Sequence, residues 1–209
     1  MKKTLSLSAF ATAAGTSGPA LAHHAMGGEV PETLFTGFVS GLAHPVIGID
    51  HLAFIIAMGL AAAFTPKRFM TPLAFVAATL AGCGLLLAGI ALPLAEIVIT
   101  GSVVLVGAMV LSGRRFPAGG YVALFAIAGL FHGWAYGASI LGAEATPLAA
   151  YLTGFAAIQY AIALGVMAMT RTLWRAADPS AIAPRLTGAL MAGIGFAFLV
   201  ENIEGLLAA

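Results

Sequence analysis

Residues 44–51 read His44-Pro-Val-Ile-Gly-Ile-Asp50-His51, and they lie inside a run that is otherwise apolar from residue 34 to residue 64. Two imidazoles and a carboxylate therefore interrupt a stretch long enough to cross a bilayer. An aspartate at the centre of a membrane segment costs about 2.5–3.5 kcal/mol on insertion scales, so an ionisable group there indicates a functional site. This octapeptide is the first candidate for that site.

The composition of the whole chain is that of a membrane protein. Of 209 residues, 61% are hydrophobic and 8% are charged, and the mean hydropathy is +1.03, which leaves too little polar surface for a water-soluble globule. The net charge is +1 and no basic cluster is present, so no nucleic-acid partner is expected. The single cysteine, Cys83, excludes an internal disulfide, and its apolar surroundings predict a small buried side chain.

The N-terminus has the features of an export signal. Two lysines precede a weakly apolar stretch over residues 5–14, and Ala20-Leu-Ala22 has the small-x-small form of a signal-peptidase site. The apolar stretch is too short for a strong membrane anchor. We therefore expect residues 1–22 to be cleaved as a signal peptide.

Six apolar segments follow, each near the length of about 20 residues that a bilayer requires. They lie near residues 34–64, 71–91, 94–112, 121–141, 147–169 and 186–207. The first is longer than one helix needs, and Pro45 with Gly48 predicts a helix broken near Pro45. The predicted fold is all-α: a polytopic membrane protein whose six transmembrane helices form one domain over residues 23–209.

The distribution of basic residues predicts the orientation of these segments. Outside the signal, all seven Lys and Arg residues fall in alternate loops, at positions 67–68, 114–115 and 171–185. Cytoplasmic loops hold the excess of such residues, so these loops are expected inside and both the mature N-terminus and the C-terminus outside. The expected location is the cytoplasmic membrane of a bacterium.

The chemistry of the intramembrane polar residues indicates a transition metal. At a helical rise of about 1.5 Å per residue, Asp50 and His51 lie roughly 25 Å above the cytoplasmic end, His132 roughly 18 Å, and His44 near the outer mouth. Imidazole with carboxylate suits nickel, cobalt, zinc or copper and suits magnesium or calcium poorly. Ligands that lie at successive depths in the membrane allow an ion to enter and to leave. These four residues are the predicted metal ligands.

A purely structural role is the alternative for the same residues. On a straight helix His44 and His51 share a face, while Asp50 points about 100° away from His51, so the three can meet one ion only where the backbone is distorted. Asp50 could instead pair with a histidine to brace helices. His132 could be a hydrogen-bonded core histidine rather than a ligand or relay.

Tyr136 lies one turn from His132 on the same helical face. Gly129, Gly133 and Gly137 form a stripe of small residues beside them, which predicts close approach of a neighbouring helix. Tyr136 is therefore a secondary candidate for the metal path.

Three further polar residues have no motif to interpret them. Gln159 and Glu201 lie in the fifth and sixth segments, where each could complete a coordination shell, support a ligand histidine or join helices. Glu96 lies near the outer end of its segment, where it is expected to solvate that end or to attract cations weakly.

His23 and His24 would begin the mature chain after signal cleavage. A free α-amine beside two imidazoles can chelate nickel or copper, so an external capture site is one interpretation. A flexible chain end is the other.

The motif residues resemble a known family. The H-x5-D-H pattern from His44 to His51, followed by Phe131-His132-Gly-x-Ala135 in a later helix, resembles the HupE/UreJ family, and the resemblance extends over the signal peptide and the six segments. It implies a secondary permease for nickel, or in some members cobalt, associated with hydrogenase and urease maturation. It also implies that His44, Asp50, His51 and His132 form the metal path. Members often carry a second histidine near the position of Tyr136, which leaves the preferred metal open.

Three functions are therefore considered. The first is a permease without a tightly bound cofactor that moves Ni²⁺, or else Co²⁺, copper or Zn²⁺, inward through the lipid bilayer toward cytoplasmic metallochaperones of hydrogenase or urease. No Walker A sequence is present, so ATP is not the expected energy source. The second is an intramembrane zinc-dependent hydrolase, in which the four ligands converge on one ion. The third is a non-transporting accessory protein for metallocentre assembly, whose deletion would leave cellular metal unchanged.

Overall fold

The computed structural model describes residues 30–208, and every regular element within them is helical. The α-helices are α1 (Leu34–Ile47), α2 (Ile49–Ala62), α3 (Thr71–Leu87), α4 (Ala95–Leu111), α5 (Ala118–Gly137), α6 (Ala145–Ala168) and α7 (Ile182–Ala208). A 3-10 turn, Ala138–Ile140, extends α5, and a π-helical turn, Met169–Leu173, extends α6. The all-α prediction is confirmed for these residues. The expected signal peptide at 1–22, with His23 and His24, lies outside them.

The lengths of the helices fit a multi-pass membrane protein. Three continuous helices, at 118–140, 145–173 and 182–208, are long and apolar enough to cross a bilayer, and α1 with α2 makes a fourth if the bent pair counts as one span. The other two, α3 and α4, are apolar but have 17 residues each. Three or four of the six predicted segments therefore meet the length that a span requires.

The break in the first segment lies at Gly48, three residues beyond Pro45. The axes of α1 and α2 differ in direction by 79°. Gly48 has φ −71° and ψ 100°, which is an extended conformation. It therefore interrupts the helical hydrogen bonding and is both the C-cap of α1 and the N-cap of α2. Pro45 lies inside α1, where it removes a single backbone donor. The break thus puts His44 in the last turn of α1 and Asp50 with His51 in the first turn of α2.

Helix α2 forms the centre of the molecule. From Ala53 to Ala62 nearly all of its side chains are buried, which is the pattern of a helix surrounded on all sides. The remaining helices pack around it in three close pairs, α1 with α6, α3 with α5 and α4 with α7. The octapeptide therefore leads directly into the core, so its polar groups are buried among the surrounding helices.

Glycines allow the three pairs to approach closely. A Cβ at Gly41 of α1 would clash with the carbonyl of Tyr151 in α6, and one at Gly107 of α4 would lie 2.6 Å from the backbone nitrogen of Ala192 in α7. The predicted stripe on α5 has the same role, because a Cβ at Gly133 would clash with the backbone of Thr79 in α3. Small residues therefore set the helix spacing around the site.

Gly133→Ala is expected to destabilise the folded protein by about 1–3 kcal/mol, the usual range for overpacking. The obstacle is the backbone of α3, which cannot rotate away as a side chain can. Gly84→Ala in α3 is the matched control, because a Cβ there meets nothing within 4 Å. Thermal unfolding of both variants in detergent, followed by circular dichroism, measures the difference. Equal melting temperatures would contradict the packing described for this helix pair.

The two ends of the bundle differ in charge. At the basic end the loops after α2, α4 and α6 meet: Arg171 lies over the ring of Phe64, and Arg115 pairs with Asp178 at 2.8 Å. The backbone N–H of Ser180 and the Arg115 guanidinium lower the pKa of Asp178 from 3.8 to about 2. These two interactions with the Asp178 carboxylate therefore stabilise the folded protein above pH 3.8, and that stabilisation is lost as the pH falls through about 2. All seven Lys and Arg residues of the described chain belong to these loops or the helix ends beside them.

Candidate metal-binding site

A cavity of about 310 Å³ with several polar side chains on its wall lies at the opposite end of the bundle, which we call the acidic end. Helices α1, α2, α4, α5 and α7 and the 3-10 turn all contribute to its wall. The lining residues are His44, Asp50, His51, Glu96, Ala135, Ala138, Ser139, Phe198, Glu201 and Asn202. Three of the four predicted ligands therefore line one cavity, together with two carboxylates from helices that are distant in sequence.

His44 is held on one side of this cavity by two hydroxyl groups. Its Nδ1 lies 2.7 Å from Tyr151 Oη and 3.1 Å from Ser139 Oγ. Ser139 donates its own hydrogen to the Tyr136 carbonyl at 2.9 Å. The imidazole is 5% exposed, so these partners fix its orientation within the protein.

Tyr136 separates His44 from His51. Its ring centroid lies 4.8 Å from that of His44 and 4.2 Å from that of His51, and its side chain is fully buried. The phenolic oxygen has no hydrogen-bond partner in the structure. The two histidines of the octapeptide are thus two positions with an aromatic ring between them.

His51 and His132 form the next candidate position for a metal ion. Their Nδ1 atoms lie 2.7 Å apart, and His132 Nε2 lies 3.1 Å from Ser102 Oγ in α4. The estimate from helical rise placed His132 well below His51, whereas the two rings are in contact. The reason is that side chains reach along the helix axis and the backbone is broken at Gly48, so the rise of the Cα atoms does not fix the separation of the ring nitrogens.

Asp50 lies beside His51 at the break. Its Oδ1 atom is buried without a hydrogen-bond partner, although the side chain lines the cavity and is only 5% exposed. The position that a Cβ would take at Gly48 is 2.7 Å from His51 Cδ2 and 3.6 Å from Asp50 Oδ1. The carboxylate oxygen and one edge of the imidazole therefore border the same small space, which the absence of a side chain at Gly48 leaves open.

Three phenylalanines pack together beneath His132, toward the basic end. The ring of Phe54 lies 4.6 Å from that of His132 and 4.7 Å from that of Phe75, and Phe125 packs on Phe54 at 6.1 Å. All three side chains are fully buried. We call Phe54, Phe75 and Phe125 the aromatic floor. No polar group from it faces His132.

The secondary candidates fall in different places. Glu201 lines the cavity, in the part of α7 toward the acidic end. Gln159 is fully buried elsewhere, and its amide nitrogen donates to the Phe155 carbonyl at 3.1 Å and to Thr79 Oγ1 at 3.4 Å. Its contacts are those of a residue that joins α6 to α3, while its Oε1 atom has no partner. Cys83 is buried, as predicted.

Three residues of the site were not found from the sequence: Ser102, Ser139 and Tyr151, which contact the histidines. Glu96, which was expected to solvate a helix end or to attract cations weakly, lines the cavity. Ser102 is a hydroxyl in an apolar helix, which is a weak signal because such hydroxyls usually bond their own helix. Contacts between helices far apart in sequence leave no local pattern.

Within residues 30–208, no group of three or more His, Cys, Asp or Glu side chains is already arranged around a common metal position. These residues instead have separate contacts: His44 with its hydroxyl partners, Asp50 beside His51 on the cavity wall, and His51 with the fully buried His132.

This architecture defines the class of the protein. It is a multi-pass helical membrane protein in which buried histidines and a carboxylate oxygen without a hydrogen-bond partner lie around a cavity. The family described as HupE / UreJ protein matches residues 11–198, and the chain therefore belongs to the HupE/UreJ family. Protein HupE of Rhizobium leguminosarum bv. viciae is 29% identical over 191 residues, which cover 90% of this chain and 95% of that protein. No solved structure shows a significant match to the chain.

Proposed function

We propose that the protein is a secondary permease that carries a divalent transition-metal ion, nickel foremost and cobalt second, inward across the cytoplasmic membrane. The observation that carries the proposal is the buried Asp50 Oδ1 atom, which has no hydrogen-bond partner and borders a space next to the His51 ring. A buried carboxylate oxygen without a partner is costly to fold, so its presence indicates a ligand that arrives later.

The donor types support a transition metal as cargo. Imidazole nitrogens with one carboxylate suit nickel, cobalt, copper or zinc, whereas magnesium and calcium prefer oxygen atoms throughout. His44, Asp50, His51 and His132 are the proposed ligands, used in turn as the ion descends. Few ligands at each position keep binding weak enough for release.

The charge asymmetry of the bundle supports inward transport. The basic end is assigned to the cytoplasm by the excess of Lys and Arg in its loops. The cavity then opens outward, with Glu96 and Glu201 on its wall to attract cations. We propose six spans over residues 23–209, with α3 and α4 as short spans, after removal of a signal peptide at 1–22.

The aromatic floor supports alternating access. An ion at His132 would have no polar partner below it, because Phe54 and Phe75 lie against the imidazole ring. In the proposed orientation, this arrangement is open to the outside and closed to the inside. Release into the cytoplasm, toward metallochaperones of hydrogenase or urease, requires these rings to move.

The hydrolase is less well supported. A zinc hydrolase requires three protein ligands around one ion with a fixed water. Tyr136 contacts both His44 and His51, and within residues 30–208 no three His, Cys, Asp or Glu side chains are arranged around a common metal position. An accessory protein that carries no metal across the membrane leaves the unpartnered Asp50 oxygen unexplained.

The purified protein, reconstituted in liposomes that contain a metal-quenched dye, tests the proposal. Nickel or cobalt added outside is expected to quench the dye in the wild type, with His132→Gln reduced by about 10–100-fold at equal reconstitution. Zinc and copper, tested beside them, determine selectivity. The absence of quenching by any metal, together with zinc retained at one ion per chain, would overturn the permease and favour the hydrolase.

A further inference from the structure

A line of aromatic rings continues from the aromatic floor to the basic end of the bundle. The ring centroid of Phe125 lies 6.1 Å from that of Phe54 in α2 and 5.5 Å from that of Tyr121, one turn nearer the start of α5. The ring of Phe116, in the loop before α5, lies 6.0 Å from that of Tyr121. Because the Phe54 ring also lies 4.6 Å from that of His132, the line connects the innermost histidine to the basic end.

A small cavity lies where this line of rings ends. Its volume is about 20 Å³, which is room for about one water molecule. The last turns of α2 and α4, the first turn of α5 and the loops beside them form its wall, which includes Ala61, Val110, Arg114, Arg115 and Tyr121. The three helices are therefore less densely packed here than a protein interior usually is.

The opposite side of α2 is closed by helix backbones. A Cβ at Gly59 would lie 3.0 Å from the carbonyl oxygen of Ala163 and 2.9 Å from Cβ of Val166, both in α6. Helices α3 and α5 approach in the same way, since a Cβ at Gly129 would lie 2.7 Å from the Phe75 carbonyl oxygen. Between α2 and α5, in contrast, aromatic rings fill the space, and a ring can change its rotamer while the backbone stays in place.

We infer that the ion leaves His132 through the space between α2, α4 and α5, which we call the inner seam, and that Phe125 and Tyr121 are the side chains that open it. The inference rests on the proposed function, because it names the release route of the ion that the permease carries. The inner seam joins the innermost histidine to a cavity at the basic end, whereas the α6 side of α2 is closed. Two guanidinium groups on the cavity wall disfavour a resting cation, so the ion is expected to pass through without binding there.

Cysteine labelling from the cytoplasmic side tests the inference. Val110→Cys places a thiol on the cavity wall, and Val166→Cys places one at the contact of α6 with α2. Both are made in a Cys83→Ser parent, which removes the natural thiol and keeps a donor for the Gly133 carbonyl. Neither valine change enlarges a side chain, so neither overpacks its site. Inside-out membrane vesicles, loaded with nickel or with magnesium, are treated with a membrane-impermeant thiol reagent.

Nickel is expected to accelerate the labelling of Val110→Cys about 10-fold or more relative to magnesium, because a cargo ion raises the population of an inward-open state that is otherwise minor. Val166→Cys is expected to react at the same rate with either ion. The group attached at position 110 then obstructs the route, so labelled Val110→Cys is expected to lose nickel transport. The same treatment is expected to leave transport by the Cys83→Ser parent unchanged.

Nickel-dependent labelling of Val166→Cys would overturn the inference. So would labelling of Val110→Cys that nickel does not change in a protein that transports nickel, or transport that survives complete labelling at position 110. Ala61→Cys, on the α2 side of the same cavity, replaces Val110→Cys if that variant folds poorly. Nickel release from vesicles that contain the parent tests the permease separately: a parent that carries no metal would contradict the proposed function, whereas a transporting parent that opens on the α6 side would contradict only the inner seam.

Discussion

Asp50→Asn is expected to reduce metal uptake by about 100-fold or more and to raise the melting temperature of the metal-free protein. An amide in place of the carboxylate is a poor ligand for a divalent cation and leaves His51 without its neighbouring oxygen donor. The same change removes a buried carboxylate oxygen that has no hydrogen-bond partner. An unsatisfied buried polar group costs about 1–3 kcal/mol, and more if it is charged, so its replacement by a neutral group relieves part of that cost.

Uptake into proteoliposomes and thermal unfolding, measured on the same preparations, separate the two effects. Glu204→Gln is the matched control: it removes an acidic group near the acidic end, on the exposed surface of α7, and it does not line the cavity. That variant is expected to keep wild-type uptake. A loss of stability in Asp50→Asn would show that Asp50 braces the helices, which was the structural alternative drawn from the sequence.

Gly48→Ala is expected to reduce uptake by about 10–100-fold, comparable with the loss of a group that orients a ligand. The backbone at Gly48 has φ −71° and ψ 100°, which an alanine can adopt, so the effect is not one of backbone strain. The new Cβ would lie 2.7 Å from His51 Cδ2. The ring must therefore shift, which disturbs the 2.7 Å contact between His51 and His132.

Gly101→Ala is the matched control for that variant, since a Cβ at Gly101 meets nothing within 4 Å. Uptake kinetics and histidine NMR of both variants measure the outcome. The displaced ring predicts altered His51 resonances together with the loss of uptake. Wild-type uptake in Gly48→Ala would mean that the space beside His51 and Asp50 is not part of the metal path.

The helix break at Gly48 is the reason why Asp50→Asn and Gly48→Ala are expected to affect the same site. A continuous helix through residues 44–51 would direct Asp50 away from the face shared by the histidines. With the break at Gly48, Asp50 and His51 start a new helix, and both line the cavity together with His44. Irregular backbone at membrane depth is tolerated where it borders a cavity, which is where this break occurs.

The sequence by itself determined the class of the protein and most of the candidate ligands. Apolar length and low charge fix a helical membrane protein, because a bilayer leaves no other partner for the backbone of such segments. The cost of ionisable groups in apolar runs identifies His44, Asp50, His51 and His132 without any knowledge of their neighbours. The proline and the glycine of the octapeptide also predicted a break, within three residues of its position at Gly48.

Only the tertiary structure decided how these residues are grouped. The contacts of Tyr136 with His44 and His51, the contact of His51 with His132, and that of Ser102 with His132 all join residues that are 30 to 92 positions apart in the chain. Such contacts depend on helix rotation and on close approach at glycines such as Gly133, which no local periodicity records. The sequence therefore supplied the candidate ligands, while the packing of the helices around α2 determined their grouping, their hydrogen-bond partners and the aromatic floor beneath His132.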